Sequence, residues 1–257
     1  MRGEDVRKVD VQVAVTQAEP AWPGLTGANK AGLVVFPERC VPRIGYDLAK
    51  NNAIAVSLVF AEDNNHSLYT AQVTIGADGE IKCHRRKMKP MHMERTVFGD
   101  TSGHCLSSVA QLPLARIVAL SCGEHTEPLL KFNTIAQEEI HVAAWSRLDP
   151  HPGGDIVWSM PVEGCETISR AHVVEACVFI LHCAPMIYEK SVYARGTTGS
   201  PIFSTPGGGG SAVFRPDGRR LTNPLNCATE GIMYANLAVD LILEAKMLLT
   251  VQVIQST

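Results

Sequence analysis

The apolar residues of this chain come in short, separated runs, and that spacing constrains the fold more than any other feature. Gly32-Leu33-Val34-Val35-Phe36 is apolar throughout, as in a strand buried on both faces. Ile54 to Phe60, Ile117 to Ser121, His141 to Trp145 and Cys177 to His182 read as further strands, and the alternating Val11 to Val15 opens the series. None approaches the roughly 18 residues needed to span a bilayer. Helical patterns fall between them, at Pro128 to Glu138, Ser169 to Ala176 and Val239 to Leu249; Glu127 and Pro128 suit the first turn of the first of these. Ala77-Asp78-Gly79 joins Tyr69 to Ile75 and Ile81 to Arg85 as a hairpin. After the glycine run Gly207 to Gly210, Pro216-Asp217-Gly218 turns a second hairpin beyond Ala212-Val213-Phe214, and Gly231 to Leu237 is a last strand. Strands and helices alternate without a low-complexity linker, which predicts one α/β domain over 1–257, built on a mixed sheet or a pair of sheets.

Partners are narrowed by charge and by cysteine usage. A net charge of -3 over 257 residues gives no electrostatic case for nucleic acid or an anionic membrane. The eight cysteines are scattered and include no CxxC pair, so reduced, mostly buried thiols are expected rather than a disulfide scaffold. Met1-Arg2-Gly3-Glu4-Asp5 lacks the apolar centre of a secretory signal, and the expected setting is cytoplasmic. No Cys/His cluster has zinc-ligand spacing, and no metal is expected.

Chemistry concentrates where strands end. Phe36-Pro37-Glu38, Arg85-Arg86-Lys87 and Leu120-Ser121-Cys122 each place a reactive side chain just beyond an apolar or strand-like run. Ligands of α/β folds collect beyond the carboxyl ends of strands, so the three can meet. A thiol near a positive helix terminus favours thiolate, a carboxylate can take its proton, and a lysine can stabilise developing negative charge. Each residue also has a plainer reading. A lone cysteine after a strand is commonly a small core residue, Glu38 can be a solvated loop acid, and His84 to Lys89 can be a solvated basic face.

Several long, ordered blocks resemble the nitrilase superfamily of carbon-nitrogen hydrolases, most closely its fungal nitrilase and cyanide hydratase branch. They are Val13 to Pro20, Leu33 to Glu38, His84 to Asp100, Ser121 to Lys131, His141 to Trp145, His151-Pro152-Gly153-Gly154, Glu189-Lys190 and Pro206 to Phe214. The resemblance runs to about Lys246 and leaves about 247–257 outside the pattern.

That resemblance implies a four-layer α-β-β-α sandwich and a Glu-Lys-Cys triad falling on Glu38, Lys87 and Cys122, with Glu94 as an additional glutamate that orients the lysine. It implies nitrile hydrolysis through a cysteine thioimidate, on arylaliphatic or aromatic nitriles, with no cofactor and with subunits joined as a homo-oligomer. A cyanide hydratase stopping at formamide, an amidase, and a catalytically impaired relative kept as an assembly protein are the alternatives. Gly123, Glu124, His125 and Trp145 are the candidate substrate-binding residues; support of the nucleophile for Glu124 and His125, and core packing for Trp145, are their other readings.

The chain departs from the branch in five places. Gly123 stands where tryptophan normally follows the cysteine, and Met91 where threonine is usual. Ala21 to Ala31 replaces a long first helix, the interval from Glu38 to Lys87 is short, and the usual tail after Lys246 is missing. Loss of outer helical segments is therefore expected, and with it exposure of apolar sheet surface, whose burial is worth about 25 cal/mol per Å².

Overall fold

The structure, a computed structural model, describes residues 10–17, 31–38, 42–155, 157–199 and 204–249. Two sheets lie face to face. The first has six strands: β1 (Asp10–Gln17), β2 (Leu33–Val35), β3 (Ala55–Asn64), β4 (Ser67–Ile75), β5 (Ile81–Arg86) and, beside β1, β13 (Gly231–Ala238). The second has five: β6 (Val109–Gln111), β7 (Arg116–Ser121), β8 (Ile140–Ala144), β9 (Phe179–Cys183) and β12 (Ala212–Phe214). A small ribbon pairs β10 (Met186–Ile187) with β11 (Gly207–Gly208).

Both sheets share one plan. Three parallel strands form a core, β1-β2-β3 in one and β7-β8-β9 in the other, and antiparallel strands flank them. Strand alternation then sorts the side chains. Val13, Val15, Leu33 and Val35 face Ile117, Ala119, Ile140, Val142, Phe179 and Leu181 in the inter-sheet core. On the outer face of the first sheet, Ala14, Val34, Val56 and Leu58 lie under Leu48 and Ala49 of helix α1 (Pro42–Asn52). On that of the second, Val118 and Leu120 meet Leu130 of α2 (Pro128–Ile135), while Ala143, Ile180 and Phe214 meet Val173 and Ala176 of α3 (Val162–Ala176). The result is the α-β-β-α layering that the resemblance implied. Helices α4 (Glu189–Ala194) and α5 (Asp240–Leu249) complete the described elements.

Three local differences from the sequence reading have physical causes. Helix α1, which opens at Pro42 and includes Gly45, was not anticipated. Proline is at home in a first helical turn, and a Cβ on Gly45 would come within 2.1 Å of Leu58, so the glycine lets α1 lie close on β3. Helix α3 begins before Ser169 and runs through Gly164, where a Cβ would meet the Trp158 carbonyl oxygen at 1.7 Å. Strands β3 and β4 extend into a long hairpin whose turn takes Asn65 and His66 into the left-handed region, at φ 51° and 66°. The interval Ala21 to Ala31, read as replacing a first helix, lies outside the described residues apart from its last member Ala31, as does the terminal stretch 250–257. No helix among the described residues is long and apolar enough to cross a membrane.

Candidate active site

Strand β2 ends at Val35, and the chain leaves it through Phe36 and Pro37 to Glu38. The Glu38 amide donates to the Trp145 carbonyl just beyond β8, 3.2 Å away, which ties a strand end of one sheet to a strand end of the other. The buried Glu38 carboxylate accepts a short hydrogen bond from the Ser121 hydroxyl, the residue before Cys122. Because β5 runs in the same direction as β2 and β3, Lys87 emerges on the same edge as Glu38. Its amine donates to Glu94 Oε2 at 2.5 Å and lies 3.8 Å from Glu38 Oε1. Glu94 stands on a 3-10 turn (His92–Thr96); its carboxylate also accepts from the Thr70 hydroxyl at 3.1 Å and the Met91 amide at 3.0 Å. The strand ends thus bring Glu38, Lys87 and Cys122 together.

Charge states follow from this packing. Burial works against the Lys87 ammonium, but Glu38, Cys122 and Glu94 outweigh it and raise its pKa, so the lysine stays charged. Burial and the Glu38 carboxylate push the Cys122 thiol up to about 11, against the pull of Lys87. This corrects the expectation of a thiolate favoured by a helix terminus: α2 starts only at Pro128, and a 3-10 turn (Cys122–Thr126) intervenes. A resting thiol needs a base to take its proton. Cys122 also has φ 49°, a left-handed setting that costs a non-glycine residue roughly 1–2 kcal/mol.

Glu124 holds that turn. Its carboxylate takes both Arg85 guanidinium nitrogens, at 2.7 and 2.5 Å, together with the Met88 and Ser121 amides, each at 3.0 Å. One carboxylate thereby joins the chain on either side of Lys87 to the residue before Cys122. Arg85 is completed by Gln72 at 2.5 Å and the Cys105 carbonyl at 3.2 Å. Burial opposes the Glu124 charge, yet Arg85 and the two amides hold its pKa below the ordinary value. The basic run is therefore not one solvated face. Alternation along β5 buries Arg85 and Lys87 and leaves His84 outside. That period-2 alternation was the signal for Arg85, which went unnamed as a site residue.

His125 and Trp145 also turn inward, with 1% and 2% exposure. Their rings stack at 4.9 Å, and Trp145 Nε1 donates to the Ser169 hydroxyl at 3.2 Å. Gly123 is the one of the four candidate binding residues with no side chain to bury. A Cβ there would come 1.9 Å from the Met91 sulfur, so the two departures from the family pattern meet, and the thioether fills the space beside the nucleophile. Among the described residues, Glu138, His141 and His172 offer ligand-type atoms within 4.8 Å of one another. Their contacts, 2.7 Å from His141 Nδ1 and 2.8 Å from His172 Nε2 to the two carboxylate oxygens, have hydrogen-bond lengths. Protons account for the cluster.

Comparison with known proteins agrees with the fold. The sequence pattern of the family described as "Carbon-nitrogen hydrolase" matches residues 43–247. A protein named arylacetonitrilase from Hypocrea virens is 48% identical, with 92% of this chain and 86% of that protein covered; one from Aspergillus niger is 40% identical over the same shares. The Hypocrea alignment spans 282 positions, more than the 257 residues here, so that relative carries segments this chain lacks. Among solved structures, a carbon-nitrogen hydrolase from Helicobacter pylori superposes with TM-score 0.74 at 15% identity, covering 93% of this chain and 92% of that one. Saccharomyces cerevisiae Nit3, of the nitrilase superfamily, gives 0.71 at 15% identity and 95% of both chains. At such identity these two speak for the fold alone.

Proposed function

The chain belongs to the carbon-nitrogen hydrolase family as a nitrilase-type enzyme, and from that premise we propose that it hydrolyses arylaliphatic nitriles to carboxylic acid and ammonia. The observation that carries this reading is the meeting of Glu38, Lys87 and Cys122 at strand ends, with Lys87 Nζ 3.8 Å from Glu38 Oε1. Glu38 takes the Cys122 proton as sulfur attacks the nitrile carbon, and the nitrile nitrogen is protonated to give a thioimidate. Water adds to the C=N carbon, and the Lys87 ammonium stabilises the tetrahedral intermediate. The nitrogen leaves as ammonia, giving a thioester that a second water cleaves. Two waters and one nitrile become one acid and one ammonia. Glu94 holds Lys87 in place. Glu124, His125 and Trp145, engaged with protein groups, position the nucleophile rather than touch substrate, while Gly123 and Met91 form the wall beside it.

Arylaliphatic substrates are favoured over cyanide by the arylacetonitrilase relatives. Free cysteines at seven described positions support a reducing, cytoplasmic setting. The exposed Leu243, Met247 and Leu248 of α5 support association with further copies of the chain.

The test is ammonia release from phenylacetonitrile, benzonitrile and cyanide, with amide measured in parallel and Cys122→Ala as control. Release from phenylacetonitrile is expected to fall by on the order of 10⁵ in the control. Formamide from cyanide alone would make the protein a hydratase. A folded protein without turnover would make it an impaired relative.

A further inference from the structure

Behind the nucleophile lies a polar array that the proposed reaction does not use. Glu138 precedes β8, His141 sits on β8, His172 on α3 and His125 in the cysteine turn; all four have 0–1% exposure. They form a continuous chain. His172 Nε2 meets Glu138 Oε1 at 2.8 Å, and Glu138 Oε2 meets His141 Nδ1 at 2.7 Å. His141 Nε2 meets His125 Nε2 at 3.0 Å, and His125 Nδ1 meets the Cys122 carbonyl at 2.7 Å.

Counting protons along the chain gives its charge. A carbonyl only accepts, so His125 Nδ1 carries a hydrogen. Two facing Nε2 atoms at hydrogen-bond distance need one hydrogen between them, and so do His141 Nδ1 and the carboxylate. That makes three protons, where two neutral imidazoles carry two. The third balances the Glu138 charge and leaves the array neutral. Without it one of the three contacts lacks its hydrogen: two nitrogen lone pairs face each other, the Cys122 carbonyl loses its donor, or the His141 Nδ1 lone pair faces the Glu138 carboxylate.

We propose that the array His172-Glu138-His141-His125 is a positioning device, which by sharing one extra proton holds the Cys122 carbonyl and the left-handed turn that aims the thiol. Its members touch no substrate atom and act through the Cys122 backbone. The environment keeps the carboxylate of this array ionised. Burial opposes the Glu138 charge, but His141 and His172 outweigh it and hold its pKa at about 2. Burial lowers His125, and His141 lowers it further; burial also lowers His141, where the Glu138 carboxylate offsets it only in part. Of the two rings only His141 touches the carboxylate, and the extra proton is placed there by that contact. Lys131 of α2 and His182 of β9 also face the array, and both act against a cation there. Among the described residues His172 Nδ1 has no hydrogen-bond partner, so this ring joins the array through Nε2.

This inference rests on Cys122 as nucleophile, and its test separates the two. The rate of Cys122 labelling by iodoacetamide is measured against pH in the full-length protein, with Cys122→Ala identifying that thiol's phase and circular dichroism reporting folding. Glu138→Gln keeps every hydrogen bond with neutral histidines, the amide nitrogen donating to His141 and the amide oxygen accepting from His172. Wild-type labelling should climb with the thiolate fraction but show a break where the array gives up its proton. Glu138→Gln should climb without that break, and Glu138→Ala, if folded, should label about tenfold more slowly. Glu38 and Lys87 are common to all variants, so their titration cancels in the comparison. An unaltered break in Glu138→Gln overturns the positioning role and leaves the nucleophile standing. A labelling course unchanged by Cys122→Ala overturns both.

Discussion

Two buried carboxylates flank the cysteine turn, and their partners are chemically opposite. Glu124 faces the Arg85 guanidinium, whereas Glu138 faces the imidazoles of His141 and His172. The first carboxylate lies between the sheets, where it binds the Lys87 end of β5 to the Cys122 end of β7. The second lies between the five-stranded sheet and α3. Arginine keeps its proton at any pH at which a protein folds, so the clamp between sheets has a constant charge. Imidazole, unlike guanidinium, can gain or lose a proton within the range in which proteins fold, so the support behind the turn is adjustable. The relative placing of the reacting groups thus depends on a fixed charge, and only the backbone setting of one residue depends on a mobile proton.

Breaking the clamp is the largest perturbation that the comparison suggests. Arg85→Met strands the Glu124 carboxylate away from water and should cost about 3–5 kcal/mol in urea unfolding. Adding Glu124→Leu should recover much of that, because the stranded charge is gone. A loss for Arg85→Met near that of a surface substitution would remove the distinction between the two carboxylates.

Acid titration sharpens it next. The folded Glu138 value lies below the unfolded one, so its contribution is complete above pH 4.5 and is lost as pH falls towards 2. Glu138→Gln should flatten the acid stability profile over that window by on the order of 3 kcal/mol. Equal acid slopes in the two proteins would mean that Glu138 is not held ionised.

A neutral contact at the same turn gives a smaller effect. Gly123→Ala drives a Cβ against the Met91 sulfur and should cost about 1–2 kcal/mol, falling below about 0.5 in a Met91→Ala background. Additive losses would show that the two residues are not coupled. The smallest change is expected at Lys89, from the same basic run as Arg85, whose pair with Asp100 is more than half exposed. Lys89→Ala should move the unfolding midpoint by less than about 0.5 kcal/mol equivalent.

Local pattern carried much of the molecule into view. The strand ends at Glu38, Lys87 and Cys122 were legible because buried strands need unbroken or alternating apolar residues, and the chemistry interrupts those runs where the strands stop. Helices α1 and α3, missed and shortened in the sequence reading, each carry a glycine at a close approach. Gly45 and Gly164 look like breakers in one dimension, and in three they are the points where neighbouring chain comes too near for any side chain.

What the linear order could not show is which polar groups meet. Arg85 and Glu124 are 39 residues apart, and His172 is 34 from Glu138. The absence of metal-like spacing gave no hint of the Glu138 cluster, since β8 and α3 assemble it across the fold. The thiol gave the sharpest reversal. Its place after a strand pointed to thiolate, whereas burial beside Glu38 favours the protonated form. Periodicity is a property of neighbours along the chain, so it specified the strands and their ends. Desolvation and charge pairing exist only once distant segments have excluded water together, so the protonation state of Cys122, the Glu124 clamp and the histidine array were decided by the packing of the sheets.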